Sequence, residues 1–312
     1  MTDEPTSAAA QRLEELGLHL NPEIPYDLDK LFPKLTGWGA KKEIKNRHKL
    51  IAQVEEKLKL MLQPGEEVLY VAKGVQYKIS EQYFLGAWAA LINQTLFVLT
   101  NLRLLMLNTN TKGKPRYTYW AIFYSQIEQF KATWHGSVFL QLRDGTKLRF
   151  SGFSRLDKNH MPLIFQEALA TYRQLGFDPP ASQSRENLCS FCMHVVPKDH
   201  YLCDACGGEF WHPSAVAVRT AIFPAWGDFV LGHYGLATVK LVSYLLIWWV
   251  LISWIINSVH HADPLGPVLI EILFILAIEH GVFAFLTYYI AKRGLHPKGK
   301  PTIEAVGEPG DA

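Results

Sequence analysis

From Leu241 to Val259 the chain reads LVSYLLIWWVLISWIINSV, nineteen residues without a charge. At about 1.5 Å rise per residue such a helix comes close to the roughly 30 Å of a bilayer's hydrocarbon core. A second run, Pro267 to Ala291, is as apolar except for Glu271, Glu279 and His280. Soluble helices are seldom apolar all round, so both runs are expected to span a membrane. Between them VHHADPLGP carries Pro264, Gly266 and Pro267 as breakers, which makes a tight antiparallel hairpin. The link has no Lys or Arg, whereas Lys240 stands at the first helix and Lys292, Arg293, Lys298 and Lys300 follow the second. The positive-inside rule then puts both chain ends in the cytoplasm and the loop outside, with the lipid bilayer as the first partner. The first thirty residues hold no basic start, long apolar run or small-residue cleavage site, so no secretory signal is expected.

Everything before the hairpin is then a cytosolic head. Hydrophobic residues make up 49% of the 312 and charged residues 19%, which excludes a disordered chain. A net charge of +2 excludes the global basic field of a dedicated nucleic-acid binder. The length suits two or three units, and the chain reads as a multidomain α+β membrane protein.

Residues 1–64 read as helical and polar, with Ile44, Ile51, Val54, Leu58 and Met61 in a stripe that Pro64-Gly65 closes. The stripe suits a helix packed on the next domain, or else a short coiled-coil dimer. From Glu67 to about Ser151 the pattern changes to seven short β-rich segments: EVLYVAK, QTLFVLT, RLLMLN, RYTYWAIF, IEQFKATW, SVFLQL and KLRFS. Asn101, Asn108-Thr109-Asn110, Gly136 and Asp144-Gly145 separate them as turn signals. The segment YKISEQYFLGAWAALIN, inserted after the first, has room for a helix of its own. Pro162 is expected to open one terminal helix, MPLIFQEALATYRQLG, with Gly176 as its stop. A bent antiparallel sheet can close its open end with such a helix.

This order of strands and helix over 65–176 resembles the pleckstrin-homology (PH) superfold. GEEVLYVAKG, FVLTNLRLLML, YSQIEQFKATW and LQLRDGTKLRF are similar to the bacterial PH-like family related to GRAM domains. The resemblance implies a seven-stranded β-barrel with a C-terminal helix and a binding rather than a catalytic role.

After a linker at 177–185, residues 189–206 hold two C-x₂-C knuckles ten residues apart: Cys189, Cys192, Cys203 and Cys206. Two such knuckles bring four thiolates to one ion, and Zn²⁺ accepts that closed tetrahedron. One structural zinc per chain is expected, since no coordination position stays open for catalysis. Gly207 suits the left-handed turn of the second knuckle, whereas Met193 and His194 stand where the short zinc-ribbon family, which this stretch resembles, has a glycine after the first. His194 and His200 between the knuckles read as surface residues. Residues 186–212 resemble the short zinc-ribbon family. Arg185 and Lys198 face Glu186, Asp199, Asp204 and Glu209 in this stretch, so its charge opposes phosphate and no nucleic-acid partner is expected.

Residues 213–235 are apolar but broken by Arg219, Pro224, Gly227 and Asp228, which makes them an interfacial or re-entrant segment rather than a third span. Gly227 to Gly235 with Lys240-Leu241 is similar to a membrane-hairpin domain with two transmembrane helices, which implies an anchor over 236–293, followed by a flexible tail at 294–312.

No phosphate-binding glycine loop, dinucleotide fingerprint, zinc-protease motif or nucleophile elbow occurs, and once zinc is bound no cysteine is left as a nucleophile. An enzyme is therefore not expected. The working expectation is a membrane-anchored adaptor that displays the PH-like domain and the ribbon to a cytosolic protein. Alternatives are anionic-lipid binding through Lys112, Lys114 and Arg116 of TNTKGKPR, or a subunit of an oligomeric transport or ion-permeation assembly. Glu279 and His280 lie deep in the second helix, level with Leu246 and Ile247 of the first, which offer no polar partner. They suggest a homo-oligomer of hairpins around Glu279, or else a protonated Glu279 bonded to a helix carbonyl or to the segment around Asp228.

Overall fold

A computed structural model describes residues 7–76, 83, 85–133, 137–262 and 264–299. The described residues divide into two compact units, one within 7–208 and one within 209–299.

The first unit begins with helices α1 (Ala8–Glu15), α2 (Leu28–Leu31), α3 (Ala40–Ala52) and α4 (Glu55–Met61). Strand β1 (Val68–Gln76) is followed by a short helix, α5 (Ala87–Ile92), within the inserted segment; most of that segment's first half lies outside the described residues. Strands β2 (Gln94–Thr100), β3 (Arg103–Thr109) and β4 (Pro115–Phe123) form a meander. Strands β5 (Ile127–Ala132), β6 (Val138–Leu142) and β7 (Lys147–Ser151) form a second. Each of the seven expected strands is present, within a residue or three at its ends.

The sheet differs from the expected closed seven-stranded barrel. It is an open antiparallel sheet of nine strands in the order β5-β6-β7-β1-β2-β3-β4-β8-β9. The last two, β8 (Glu186–Leu188) and β9 (Val195–Val196), belong to the cysteine segment. Strand β8 adds to β4 in the register Tyr119↔Leu188, Trp120↔Asn187, Ala121↔Glu186. The edge that a barrel would close is thus covered by the chain that carries the knuckles.

Both sheet faces are buried, which explains the unbroken apolar runs of β2 and β3. Phe97, Leu99, Leu104 and Met106 face a core shared with Phe165, Ala168 and Tyr172 of helix α6 (Arg155–Leu175). The alternate residues Leu96, Val98, Leu105 and Leu107 face Ile44, Ile51, Val54, Leu58 and Met61. The N-terminal stripe therefore packs on the chain's own sheet and is not free for a coiled coil. Helix α6 starts seven residues before Pro162, with the Ser154 hydroxyl accepting from the Asp157 amide at 3.1 Å. Asp157 then binds Arg47 and Tyr70, which fixes the first turn even though Pro162 lacks an N–H further along. Gly176 ends the helix at φ 63°, as expected.

The second unit holds α7 (Pro213–Ile222), α8 (Trp226–Val230), α9 (Tyr234–His260) and α10 (Leu265–Ala291). Helices α9 and α10 are each long and apolar enough to cross a membrane. The first begins seven residues before the uncharged run. Lys240 is accordingly not a free flanking charge: it is buried, with Nζ 2.5 Å from Asp228 Oδ2 and 5.0 Å from the centre of the Phe283 ring.

Candidate metal centre and other sites

The four cysteines converge. Their Sγ atoms all lie within 4.8 Å of one another, with Cys189–Cys206 and Cys192–Cys203 each at 3.6 Å. A tetrahedral ion with bonds of about 2.3 Å to sulfur needs S···S separations of about 3.8 Å, so the cluster fits a metal ion without rearrangement. The cluster includes neither His194 nor His200, and both are exposed.

Local backbone explains the geometry. Cys189 and His194 are joined by a 2.8 Å amide-to-carbonyl bond, and the Met193 amide returns to the Cys189 carbonyl at 3.1 Å. Met193 itself takes the left-handed φ of 61° where a glycine is the easier residue. Its side chain is buried among Leu188 and the core beneath, which offsets the strain. At the second knuckle Gly207 has φ 66° and its amide donates to the Cys203 carbonyl at 2.8 Å. Gly208 passes so close to Phe191 that a Cβ there would lie 2.6 Å from the ring.

Burial pushes the Cys189 thiol up to about 11, and burial likewise raises Cys192. Burial also acts upward on Cys203, but the Cys206 and Ala205 amides and the neighbouring thiols outweigh it, and the net shift is downward. The metal-free site therefore holds protons that an ion must displace.

A second constellation is built from the LTN-x-R run, which the sequence marks only through a family resemblance and not as a buried network. The Thr100 hydroxyl accepts from the Arg103 amide at 3.0 Å and donates to Glu66 at 2.7 Å. Arg103 forks onto Glu66 (3.0 and 2.9 Å) and reaches the Met61 carbonyl at 2.6 Å. Asn101 accepts from the Glu67 amide and donates to the Gly65 carbonyl, each at 3.0 Å. All of Glu66, Thr100 and Arg103 are buried, so this run locks α4 to the β2–β3 turn and has no ligand face.

Of the lysine loop, Lys112 and Lys114 are exposed and Arg116 is half-buried; burial lowers the Arg116 pKa. The loop is pinned at Gly113, where φ is 91° and a Cβ would meet Leu50 at 2.6 Å and Gln53 at 2.8 Å.

Trp38 gave no sequence signal, yet it is 96% exposed. It lies at a cleft of about 400 Å³ lined also by Lys34, Glu43, Ser154, Arg155 and Asn159.

In the second unit His280 sits level with Tyr244, 5.7 Å between ring centres, rather than with Leu246 and Ile247. The shift follows from where the hairpin turns, about three residues from the position assumed by counting from Val259. His280 Nδ1 lies 2.6 Å from the Ala221 carbonyl of α7. Both Glu279 carboxylate oxygens are shut off from the surface with no hydrogen-bond partner.

No known family profile matches the chain, and no curated protein does. Among solved structures, the C-terminal domain of an unknown protein from Leishmania infantum is similar at 11% identity, over 38% of this chain and 93% of that one. The TM-score is 0.27, a likeness too slight to carry an argument about fold or function.

Proposed function

We propose that the chain is a membrane-anchored adaptor, whose PH-like head with its zinc ribbon is held at the cytosolic face of an inner membrane to dock a protein partner. The anchor is supported by the outward apolar surface of α9 and α10, where Trp249, Ile270 and Phe274 are each about two-thirds exposed or more. Contiguous apolar surface of that kind marks contact with lipid or protein. Closed four-thiolate coordination supports zinc in a structural role.

The observation that carries the adaptor reading is Trp38. An exposed indole beside a polar-rimmed cleft is the composition of an interface hot spot, and leaving it bare forgoes about 1.5–3 kcal/mol of burial. Proximity labelling from the full-length protein in its native membrane tests this. A labelled protein set that Trp38→Ala removes, with the membrane level unchanged, supports the adaptor; a set identical in wild type and variant contradicts it.

Anionic lipid binding is the second reading, favoured by the exposure of Lys112 and Lys114 at a hairpin tip with no acidic residue between them. Each cation near an anionic leaflet is worth about 1 kcal/mol. Backbone exchange at 109–117 should then slow in nanodiscs of anionic lipid relative to zwitterionic lipid, and the difference should vanish at high salt.

A further inference from the structure

Helix α7 runs antiparallel to the second half of α10. The Trp211 amide, just before α7, bonds the His296 carbonyl at 2.8 Å, and the Ala221 carbonyl at its other end meets His280. Between these points Gly227 lets α8 close on the pair: a Cβ there would lie 2.0 Å from Thr220 and 2.6 Å from Thr287. His280 is eleven residues from the end of α10, roughly 16 Å along the axis, and Tyr244 lies about 15 Å from the start of α9. The C-terminal end of α7 therefore stops near the middle of the two long helices, as a half-helix does when it enters a bilayer from one side.

That end carries unpaired carbonyls and the negative pole of a helix. His280 donates to one of them: a carbonyl only accepts, so Nδ1 holds the hydrogen. Beside it Glu279 has both oxygens enclosed and unpartnered. A bare carboxylate in that position is too costly to persist. Other charges are engaged elsewhere. On α9 Lys240 binds Asp228 of α8, and on α7 Arg219 lies over Trp211, 4.4 Å from the ring centre. On α10 itself the adjacent titratable side chain is His280.

We propose that Glu279, His280 and the carbonyl end of α7 form a proton-binding site at the middle of the membrane-spanning unit, with Glu279 carrying the proton. A metal cation would need several oxygen ligands. The Ala221 carbonyl, which meets this pair, already accepts from His280. The site exists only if the hairpin is embedded, as proposed above.

The test is infrared difference spectroscopy on the full-length protein in nanodiscs at neutral pH, comparing wild type with Glu279→Gln, and Asp228→Asn as a control for the buried carboxyl of α8 in the same unit. The expected result is a carbonyl stretch of a protonated carboxylic acid in wild type and Asp228→Asn that Glu279→Gln abolishes, identical in sodium and potassium buffers. No such band, or a band that sodium removes, overturns the proposal. Should Glu279→Gln fail to fold, His280→Asn keeps the carboxyl and the bond to Ala221, and it should shift the pH at which the band titrates; an unmoved midpoint contradicts the pairing. A chain that fails to enter nanodiscs contradicts the membrane reading itself, whereas an inserted chain without the band contradicts this site alone.

Discussion

Arg103 and Arg47 are the two buried cations of the head, and each is tied to a buried or half-buried carboxylate and to a backbone carbonyl. Arg47 bonds the Val71 carbonyl at 2.8 Å and Asp157 at 2.7 Å while lying over the Tyr70 ring. Removing one partner of such a pair leaves the other charged and unpaired, at a cost of about 3–5 kcal/mol. Glu66→Ala, which strands Arg103, and Asp157→Ala, which strands Arg47, are each expected to lower the unfolding free energy by that amount in denaturant titrations of the full chain. A loss under about 1 kcal/mol, the range of surface pairs, would show that water reaches these sites. The LTN-x-R run was visible in the sequence through its family resemblance, but its structural meaning was not: Glu66 and Met61 become neighbours of Arg103 only once α4 and the β2–β3 turn have met. Trp38 was invisible for the opposite reason, since an exposed indole and a buried one are the same letter.

The cysteines also make a prediction at residue scale. With Cys189 near 11 and Cys192 raised, both thiols are protonated at neutral pH in the metal-free chain, so zinc uptake must release protons and affinity must rise with pH. An indicator dye in weak buffer should report that release, together with one zinc per chain by metal analysis. Uptake without proton release would contradict the site, and Cys203→Ser should lose the metal altogether.

At the scale of elements, the cysteine segment is a strand donor as well as a candidate metal site. Strand β8 covers the β4 edge, and the first knuckle begins at Cys189, one residue after it. Stripping the metal with a chelator should therefore raise amide exchange at residues 119–121 as well as in the knuckles, while β2 stays protected. Unchanged exchange at 119–121 would mean that β8 holds without the ion. The knuckle spacing and the seven strands of the two meanders were legible because period-2 patterning and C-x₂-C are local signals. The addition of β8 to β4 was not, since it joins residues some sixty-five positions apart through three pairs. Helix α6 was read as opening at Pro162 because proline is usual in a first turn; the start at Arg155 depends on Ser154 as cap and on Asp157, whose partners come from α3 and β1.

For the whole molecule, two helices long and apolar enough to cross a membrane set the frame, and the link between them carries no Lys or Arg, the charge pattern on which the proposed orientation rests. Helices α7 and α8 pack on α10, and His280 is bonded to α7 within the same unit. Gly227→Val, which drives a side chain into Thr220 and Thr287, should detach this segment and lower the thermal midpoint in nanodiscs by several degrees. The most direct measurement of the central claim, a cytosolic head on a membrane hairpin, is cysteine-accessibility labelling in intact cells. A cysteine at His261 should react with an impermeant reagent from outside, and one placed near either terminus should react only after the membrane is opened. Labelling of a terminus from outside, or release of the whole chain by carbonate, would contradict it.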